Sequence, residues 1–231
     1  MAGHLSREEA SKKWPIERKG TTYIVRPKFS LNDGVPILIV LREMLKLAQT
    51  RREVQRILHA KQVLANEKVV KDDKNNLLLF DTLNVIPLKK CYRLELTENG
   101  KFYLNEIKEN EANKKFAKVV NRKTLKGKKT QLNLSDGRNF LSDVKCEMND
   151  SVLINLKEKK IEKCIPLKEK SKVIVFSGKH IGEKGEVMEL NMKEKMAKIR
   201  VHSVPSHSPE EQMKPGEKEI NILINQLMAV E

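Results

Sequence analysis

The chain has 231 residues, and its 46 Lys and Arg residues outnumber its 31 Asp and Glu residues, which gives a formal net charge of +15 at pH 7 and a pI near 9.6. Apolar residues make up 39% of the chain and aromatic residues 4%, a lean composition that suits several small modules better than one large enzyme domain. No apolar run approaches the ~20 residues that span a bilayer, segment 1–13 lacks a secretory-signal pattern, and the three cysteines are too scattered for a disulfide framework or a metal knuckle. We therefore expect a soluble protein of a reducing compartment, without a metal or other cofactor.

The positive charge is unevenly distributed along the chain. The net charge is +3 over residues 1–36, +4 over 37–100, +8 over 101–170 and 0 over 171–231. Lysine that served only solubility would be spread evenly, so the distribution favours a directed basic surface. A polyanion such as nucleic acid is the first candidate partner, and an anionic membrane surface is the second.

Residues 1–36 are predicted to form an extended basic arm. The dipeptides Trp14-Pro15, Arg26-Pro27 and Val35-Pro36 hold the chain extended, because a residue that precedes proline is excluded from the α region. Trp14 either packs on the body of the protein, the commoner fate of a lone tryptophan, or stacks on a base. We expect the arm to become ordered only on binding.

Two helices and a hairpin are predicted next. Apolar residues at helical spacing predict an amphipathic helix from Pro36 to about Ala48, and Thr50 and Glu53 form the capping box of a second helix. Segment Val63–Val70 is predicted to be a short hairpin, and Leu77–Ile86 a further strand.

From about Lys89 onward, short strands with regularly spaced turns predict sandwiches or barrels. A hairpin turn is predicted at Glu98-Asn99-Gly100 and a short helix at Glu109–Lys118. Further strands are predicted around Phe116–Val120, Thr130–Leu134, Val152–Leu156, Cys164–Leu167 and Val173–Phe176.

Cations lie at unfavourable positions on the two helices. Arg51 and Arg52 lie in the first turn of the second helix, where the helix dipole disfavours cations, and Arg56 lies four residues after Arg52, so the two repel. Arg42 and Lys46 repel in the same way on the first helix. An anionic partner would offset these costs, although a solvated face is the usual meaning of a run of charge.

This region resembles the S-four RNA-binding fold, in which two helices and a β-ribbon present basic residues to structured RNA. The resemblance lies in Leu41-Arg42-x-x-Leu45, Thr50-Arg51-Arg52-Glu53-x-x-x-Ile57 and the run from Gln62 to Val70. The family usually has Gly before the first valine of the ribbon and Asn-Gly at its turn, where this chain has Gln62 and Asn66-Glu67.

Dispersed motifs extend the resemblance to nearly the whole chain. In order, they are His4-Leu5, Trp14-Pro15-Ile16, the stretch from Pro36 to Val70, Phe80-Asp81 with Val85-Ile86, and Gln131-Leu132-Asn133-Leu134-x-Asp136-Gly137-Arg138-Asn139. With these motifs in this order, the chain resembles the S-four-e family of small-subunit ribosomal proteins, which occurs in archaea and eukaryotes. The residues of the motifs are closer to those of the archaeal branch. The match departs most in a Lys-, Ser- and Pro-rich insert at 192–216.

Gly178, Gly182 and Gly185 do not form a nucleotide-binding loop, because no Gly-Lys-Ser/Thr is present and the pattern that follows alternates as a strand. Two predicted strands joined by Gly178-Lys179-His180-Ile181-Gly182 resemble the KOW barrel motif, which the same family carries near its C-terminus. A plain β-turn that requires glycine is the alternative.

Together these patterns predict an α+β, multi-domain fold. Its predicted parts are an extended basic arm (1–36), an S-four-like RNA-binding module (37–88), a central β-rich module (89–170) and a C-terminal KOW-like β-barrel of the SH3 type (171–231). The resemblance implies a structural constituent of the cytoplasmic small ribosomal subunit that binds rRNA, adjoins other ribosomal proteins and is not a homo-oligomer. The predicted RNA-binding residues are His4, Arg7, Lys12, Lys13, Trp14, Arg18, Lys19, Arg42, Lys46, Arg51, Arg52, Arg56, Lys61, Lys68, Lys123, Lys126, Lys128, Lys129, Arg138, Lys179 and His180.

Two other functions are weighed against this one. An RNA-modifying enzyme would require a mixed α/β catalytic domain, which this chain does not offer; Asp72-Asp73 is interpreted as a turn, and Cys91, Cys146 and Cys164 as small apolar residues. A free regulator of transcription or translation would use the KOW-like unit to bind polymerase or mRNA, and the neutral C-terminal quarter suits such a protein-facing surface.

Overall fold

The computed structural model describes residues 4–126, 129–141, 144–201 and 218–230. These residues form several antiparallel sheets and a few short helices, which confirms the α+β, multi-domain class. The chain divides into two compact units, the first comprising 1–97, 101–115 and 155–159 and the second 98–100, 116–154 and 160–231. None of the helices in the described ranges combines the length and the apolar character needed to cross a membrane.

The N-terminal segment is folded as part of the first unit. Strand β1 (His4–Ser6) pairs antiparallel with β2 (Tyr23–Val25), and β3 (Gly34–Pro36) pairs with β6 (Asn76–Leu78). The side chain of Trp14 is 2% exposed, and its indole N–H donates a hydrogen bond to the Gly34 carbonyl at 2.7 Å. The expectation of an arm that orders only on binding is therefore wrong, because the indole finds both apolar cover and a hydrogen-bond acceptor within the unit.

The first helix is shorter and more deeply buried than the sequence predicts. Helix α1 (Ile37–Ile39) continues as a π-helical turn over Val40–Met44, in which the Leu45 N–H donates to the Val40 carbonyl at 3.0 Å. The helix ends there because Lys46 adopts the left-handed conformation, with φ of 53°. All residues from Ile37 to Leu41 are buried, so this stretch is embedded rather than amphipathic.

Helix α2 (Arg51–His59) begins with the predicted capping box. The hydroxyl oxygen of Thr50 accepts the Glu53 N–H at 3.3 Å, and the Glu53 carboxylate accepts the Thr50 N–H at 3.4 Å and also the Gln49 N–H at 2.8 Å. The hydrogen bond from Gln49 is the largest of several that lower the pKa of Glu53. Val54 and Leu58 are buried on its inner side.

The predicted hairpin is confirmed, with β4 (Val63–Ala65) and β5 (Lys68–Val69) joined by a two-residue turn. Asn66 and Glu67 have φ of 49° and 61°, the pair of left-handed residues that defines a type I′ turn. The Asn66 side chain accepts the Thr82 N–H at 3.2 Å, which holds the turn against the next strand.

The first unit contains a five-stranded sheet with the order β5-β4-β7-β8-β9. The single predicted strand Leu77–Ile86 is instead two strands, β6 and β7 (Thr82–Val85), because Phe80 between them has φ of 61°. Strand β7 pairs directly with β8 (Lys90–Leu96), so the predicted boundary near residue 88 lies within one sheet. The predicted hairpin at Glu98-Asn99-Gly100 is confirmed by the pairing of β8 with β9 (Phe102–Ile107).

The predicted helix Glu109–Lys118 ends early. Helix α3 (Glu109–Ala112) is a single turn, and strand β10 (Lys114–Thr124) begins two residues later. In the second unit, β10 lies in a sheet of order β12-β11-β10-β13-β14, whose other members are β11 (Thr130–Leu134), β12 (Asn139–Leu141), β13 (Ser151–Asn155) and β14 (Lys160–Ile165). Its core includes Val119, Leu132 and Ile154.

The second unit also contains a five-stranded antiparallel sheet of order β18-β17-β16-β15-β19. Its strands are β15 (Lys172–Val175), β16 (Lys184–Asn191), β17 (Met196–Val201), β18 (Lys218–Leu223) and β19 (Leu227–Ala229). Gly178 and Gly182 have φ of 94° and 92° in the turn between β15 and β16, as the strand–glycine–strand interpretation predicts. Residues 202–216 of the predicted insert lie outside the described residues.

Lys118 of β10 is a buried amine inside the second unit. It is 3% exposed, and its ammonium donates hydrogen bonds to the carbonyls of Ile224 at 2.5 Å and Leu227 at 2.8 Å. Burial lowers the pKa of Lys118 to about 8. The native state therefore loses this proton at a lower pH than the unfolded state, whose lysine has the ordinary pKa of 10.5.

We expect the free energy of unfolding of the wild-type chain to rise by up to ~3 kcal/mol between pH 8 and 10.5, relative to Lys118→Met. Over that interval the unfolded state holds more protons, so stability increases with pH. Urea denaturation of both proteins at several pH values measures the difference. Parallel pH profiles would contradict the assignment.

Candidate RNA-binding surface

Helix α2 presents one polar face to solvent. Arg52, Gln55, Arg56 and His59 are all exposed, and their spacing of three and four residues places them on the side opposite the buried Val54. Lys61 follows, exposed, in a left-handed conformation with φ of 54°. Neighbouring cations of this kind repel one another, and an anion that bridges them would remove the repulsion. Gln55 and His59 were not predicted as site residues, although the helical period identifies them.

Arg51, predicted to face RNA, is instead part of an internal ion pair. Its Nε and Nη2 donate to the two carboxylate oxygens of Asp73, at 2.5 Å and 3.2 Å, and Asp73 is only 4% exposed. The cation at the start of α2 is therefore offset by a carboxylate of the same chain and does not require an anionic partner.

The two adjacent carboxylates have different roles. Asp72 accepts the Lys74 N–H at 3.0 Å, which confirms the predicted turn, and it also pairs with Lys28 at 2.7 Å. The hydrogen bond from Lys28 is the main reason that the pKa of Asp72 is lowered to about 2. Both carboxylates are thus engaged in holding the fold and are not an acid–base pair.

The other predicted RNA-binding residues of the helix–hairpin region differ in how exposed their side chains are. Arg42 is half-buried and pairs with Glu43 at 2.8 Å. Lys46, at the left-handed end of the first helix, and Lys68, on β5, are exposed.

In the N-terminal segment, two of the predicted cations serve the fold. The Arg7 guanidinium donates from Nε to the Thr21 carbonyl and from Nη1 to the Glu17 carbonyl, each at 2.7 Å, which closes the intervening loop. Lys13 is half-buried, and burial lowers its pKa. Trp14 is buried and does not present a ring to a base, so we remove it from the RNA-binding set.

The exposed members of this segment are Lys12, Arg18, Lys19 and His4. The His4 ring contacts the ring of Tyr23, a residue that the sequence did not single out, with centroids 4.3 Å apart. Tyr23 itself is 59% exposed.

In the second unit, the far end of β10 carries exposed positive charge. Residues 120–124 are all exposed, and Lys123 lies opposite Gln131 of β11 near the tip of the hairpin. Lys126 and Lys129 at the tip are exposed, while Lys128 lies outside the described residues. Arg122, exposed on the same strand, was missed, although the lack of apolar alternation in Asn121–Thr124 marks a strand with both faces in water.

The remaining predicted residues are partly engaged. Arg138 is half-buried and lies 3.5 Å from the Asp136 carboxylate. Lys179 is exposed at the turn before β16, whereas His180 is half-buried and its Nδ1 lies 3.2 Å from the Glu183 carboxylate.

The chemistry of these groups is that of binding. Over the described ranges, no three His, Cys, Asp or Glu side chains are placed to hold a metal ion. Burial raises the pKa of Cys91, Cys146 and Cys164, which disfavours the nucleophilic thiolate. Guanidinium and ammonium groups on exposed faces instead offer donors and charge to phosphate oxygens.

Comparison with known proteins identifies the relatives of this chain. The model of ribosomal family S4e matches residues 88–161. The chain is 36% identical over 192 residues to small ribosomal subunit protein eS4 of Methanocella arvoryzae, covering 82% of this chain and 81% of the relative, and 36% identical over 191 residues to eS4 of Nanoarchaeum equitans, covering 81% and 82%. The crystal structure of 30S ribosomal protein S4e from Thermoplasma acidophilum shares the fold, with a TM-score of 0.69, 22% identity and coverage of 86% of this chain and 95% of that chain.

The two adjacent arginines of α2 provide a matched pair of variants. We expect Arg51→Met to lower the free energy of unfolding by ~2 kcal/mol, because it leaves the Asp73 carboxylate buried without its cation. Arg52→Met, on the exposed face, is expected to change stability by less than ~0.5 kcal/mol. Urea denaturation at pH 7 measures both. Equal losses would contradict the division into a fold-holding and a presented arginine.

Proposed function

Because the chain belongs to the S4e family of ribosomal proteins, we propose that it is a structural constituent of the small ribosomal subunit that binds rRNA and supports subunit assembly and translation. It works in cytoplasmic ribosomes, and it is not an enzyme. Its partners are rRNA and neighbouring ribosomal proteins. One copy joins each subunit, without forming a homo-oligomer.

The observation that carries rRNA binding is the outer face of α2. Arg52 and Arg56 lie one turn apart, Lys61 follows them, and all three are exposed. No ion pair joins them to another residue in the described part of the chain. Phosphate contacts of this kind fix the position of a protein on structured RNA, and the shape of the RNA supplies the specificity.

The hairpin of β10 and β11 extends the proposed footprint. Lys123, Lys126 and Lys129 are exposed on a stretch whose preceding part, at Val119, is fully buried. A strand that is anchored in a core at one end and charged on both faces at the other suits insertion along an RNA groove.

By contrast, residues 171–231 have zero net charge, which suits contacts with proteins. That neutral surface is also what would favour the second candidate, a free regulator acting through the KOW-like unit.

We expect binding of the full chain to small-subunit rRNA to weaken by ~10³–10⁵-fold between 50 and 200 mM salt, because ~6–10 phosphates are neutralised. The variant Arg52→Gln/Arg56→Gln/Lys61→Gln should reduce the slope of log K against log salt by about 2 to 3. Filter binding at four salt concentrations measures both quantities.

A matched control is Lys90→Gln/Lys198→Gln, which removes exposed lysines that are paired with Glu106 and Glu219. This control should bind with the wild-type slope. A wild-type slope that corresponds to one or two contacts, or an unchanged slope in the triple variant, would refute the proposed footprint.

A further inference from the structure

The ribbon of β1 and β2 carries an exposed pair of aromatic rings. His4 lies opposite Val25 and Ser6 opposite Tyr23 in the register, so His4 and Tyr23 are diagonal neighbours on one face. Their ring planes are inclined by 62°, an edge-to-face arrangement, and Val25 on the same face is buried. Tyr23 remains 59% exposed, so it stays accessible to a partner while it contacts His4.

The loop that leads into β2 is held in place by Arg7. Besides its two carbonyl acceptors, the Arg7 guanidinium donates to the Thr21 hydroxyl at 2.9 Å, and that hydroxyl donates to the Tyr23 carbonyl at 3.1 Å. Gly20 has φ of 142°, and a Cβ at this position would lie 2.9 Å from Arg7 Nη2, so the loop packs closely on the guanidinium. Arg7 therefore fixes the loop that presents Arg18 and Lys19.

Three exposed cations lie close to Tyr23 in the sequence. Arg18 and Lys19 lie on the loop before β2, and Arg26 directly follows it. Over the described residues, none of the three is joined to a carboxylate by an ion pair. An open aromatic face with cations on both sides matches a nucleotide, whose base stacks and whose flanking phosphates are anionic.

We propose that Tyr23 and His4 form a stacking site for one unpaired base of rRNA, with Arg18, Lys19 and Arg26 on the adjacent phosphates. The site rests on the proposed rRNA-binding function and adds to it a contact with a base, where the face of α2 contacts phosphates. Tyr23 supplies the stacking surface, and His4 holds the tyrosine ring and offers a ring nitrogen to the edge of the base.

The test uses the full chain and a transcript of the small-subunit rRNA. Tyr23→Phe keeps an aromatic face and should bind within about 2-fold of wild type. Tyr23→Leu keeps apolar bulk without a π-face and should bind ~5–150-fold more weakly, the range measured when one base loses its aromatic partner. Ultraviolet cross-linking followed by mass spectrometry should place a nucleotide adduct on Tyr23 or His4.

Two controls make the result specific. Trp14 is the single tryptophan of the chain and is buried in the same unit as the ribbon, so unchanged tryptophan emission shows that this unit of Tyr23→Leu is folded. Phe29→Leu alters another exposed aromatic residue, 71% exposed, and should bind like wild type.

Wild-type affinity of Tyr23→Leu, or an equal loss in Phe29→Leu, would overturn the stacking site and leave the proposed function intact. Failure of the wild-type chain itself to bind rRNA would overturn the proposed function, and the stacking site with it.

Discussion

The buried residue Asp73 joins helices α1 and α2, and the orientation of α2 depends on it. Its carboxylate accepts hydrogen bonds from Nε and Nη2 of Arg51 at the start of α2, and its backbone carbonyl accepts the Leu38 N–H of α1 at 3.0 Å. A buried carboxylate is costly without a cation, so the two helices are fixed relative to each other by the need to keep this pair together. With the inner side of α2 fixed in this way, Arg52 and Arg56 are left on the outer side.

The positive charge of the chain therefore has two physical roles. Arg51 and Lys115 neutralise the buried carboxylates of Asp73 and Asp81, the latter at 2.6 Å, and Lys118 satisfies two buried carbonyls. The exposed cations on α2, at the tip of the β10–β11 hairpin and on the loop before β2 do not neutralise a buried group. They raise the self-repulsion of the folded chain, and a polyanion relieves it. Net charge alone does not separate the two groups, whereas the hydrogen-bond and ion-pair partners of each cation do.

Local chemistry made part of this structure predictable. The capping box of Thr50, the turn at Asn66 and the strand Thr130–Leu134 follow from side chains within a few residues of one another, and the structure confirms them. The dispersed motifs likewise identified the family, because their order spans nearly the whole chain.

What could not be predicted depends on residues far apart in sequence. Trp14 is buried and donates a hydrogen bond to Gly34, 20 residues away, and Arg51 is paired with Asp73, 22 residues away. The left-handed Lys46 and Phe80 broke a helix and a strand in which the apolar pattern was continuous. The contact between Tyr23 and His4 depends on the pairing of β1 with β2, which the sequence pattern did not predict.

The most direct test of the central claim is gradient sedimentation of a cell lysate in low salt and again after a high-salt wash, with this protein quantified by mass spectrometry. A structural constituent should remain with small subunits and assembled ribosomes at near one copy each. Recovery at the top of the gradient, or release by modest salt at low copy number, would contradict that role and favour a free regulator.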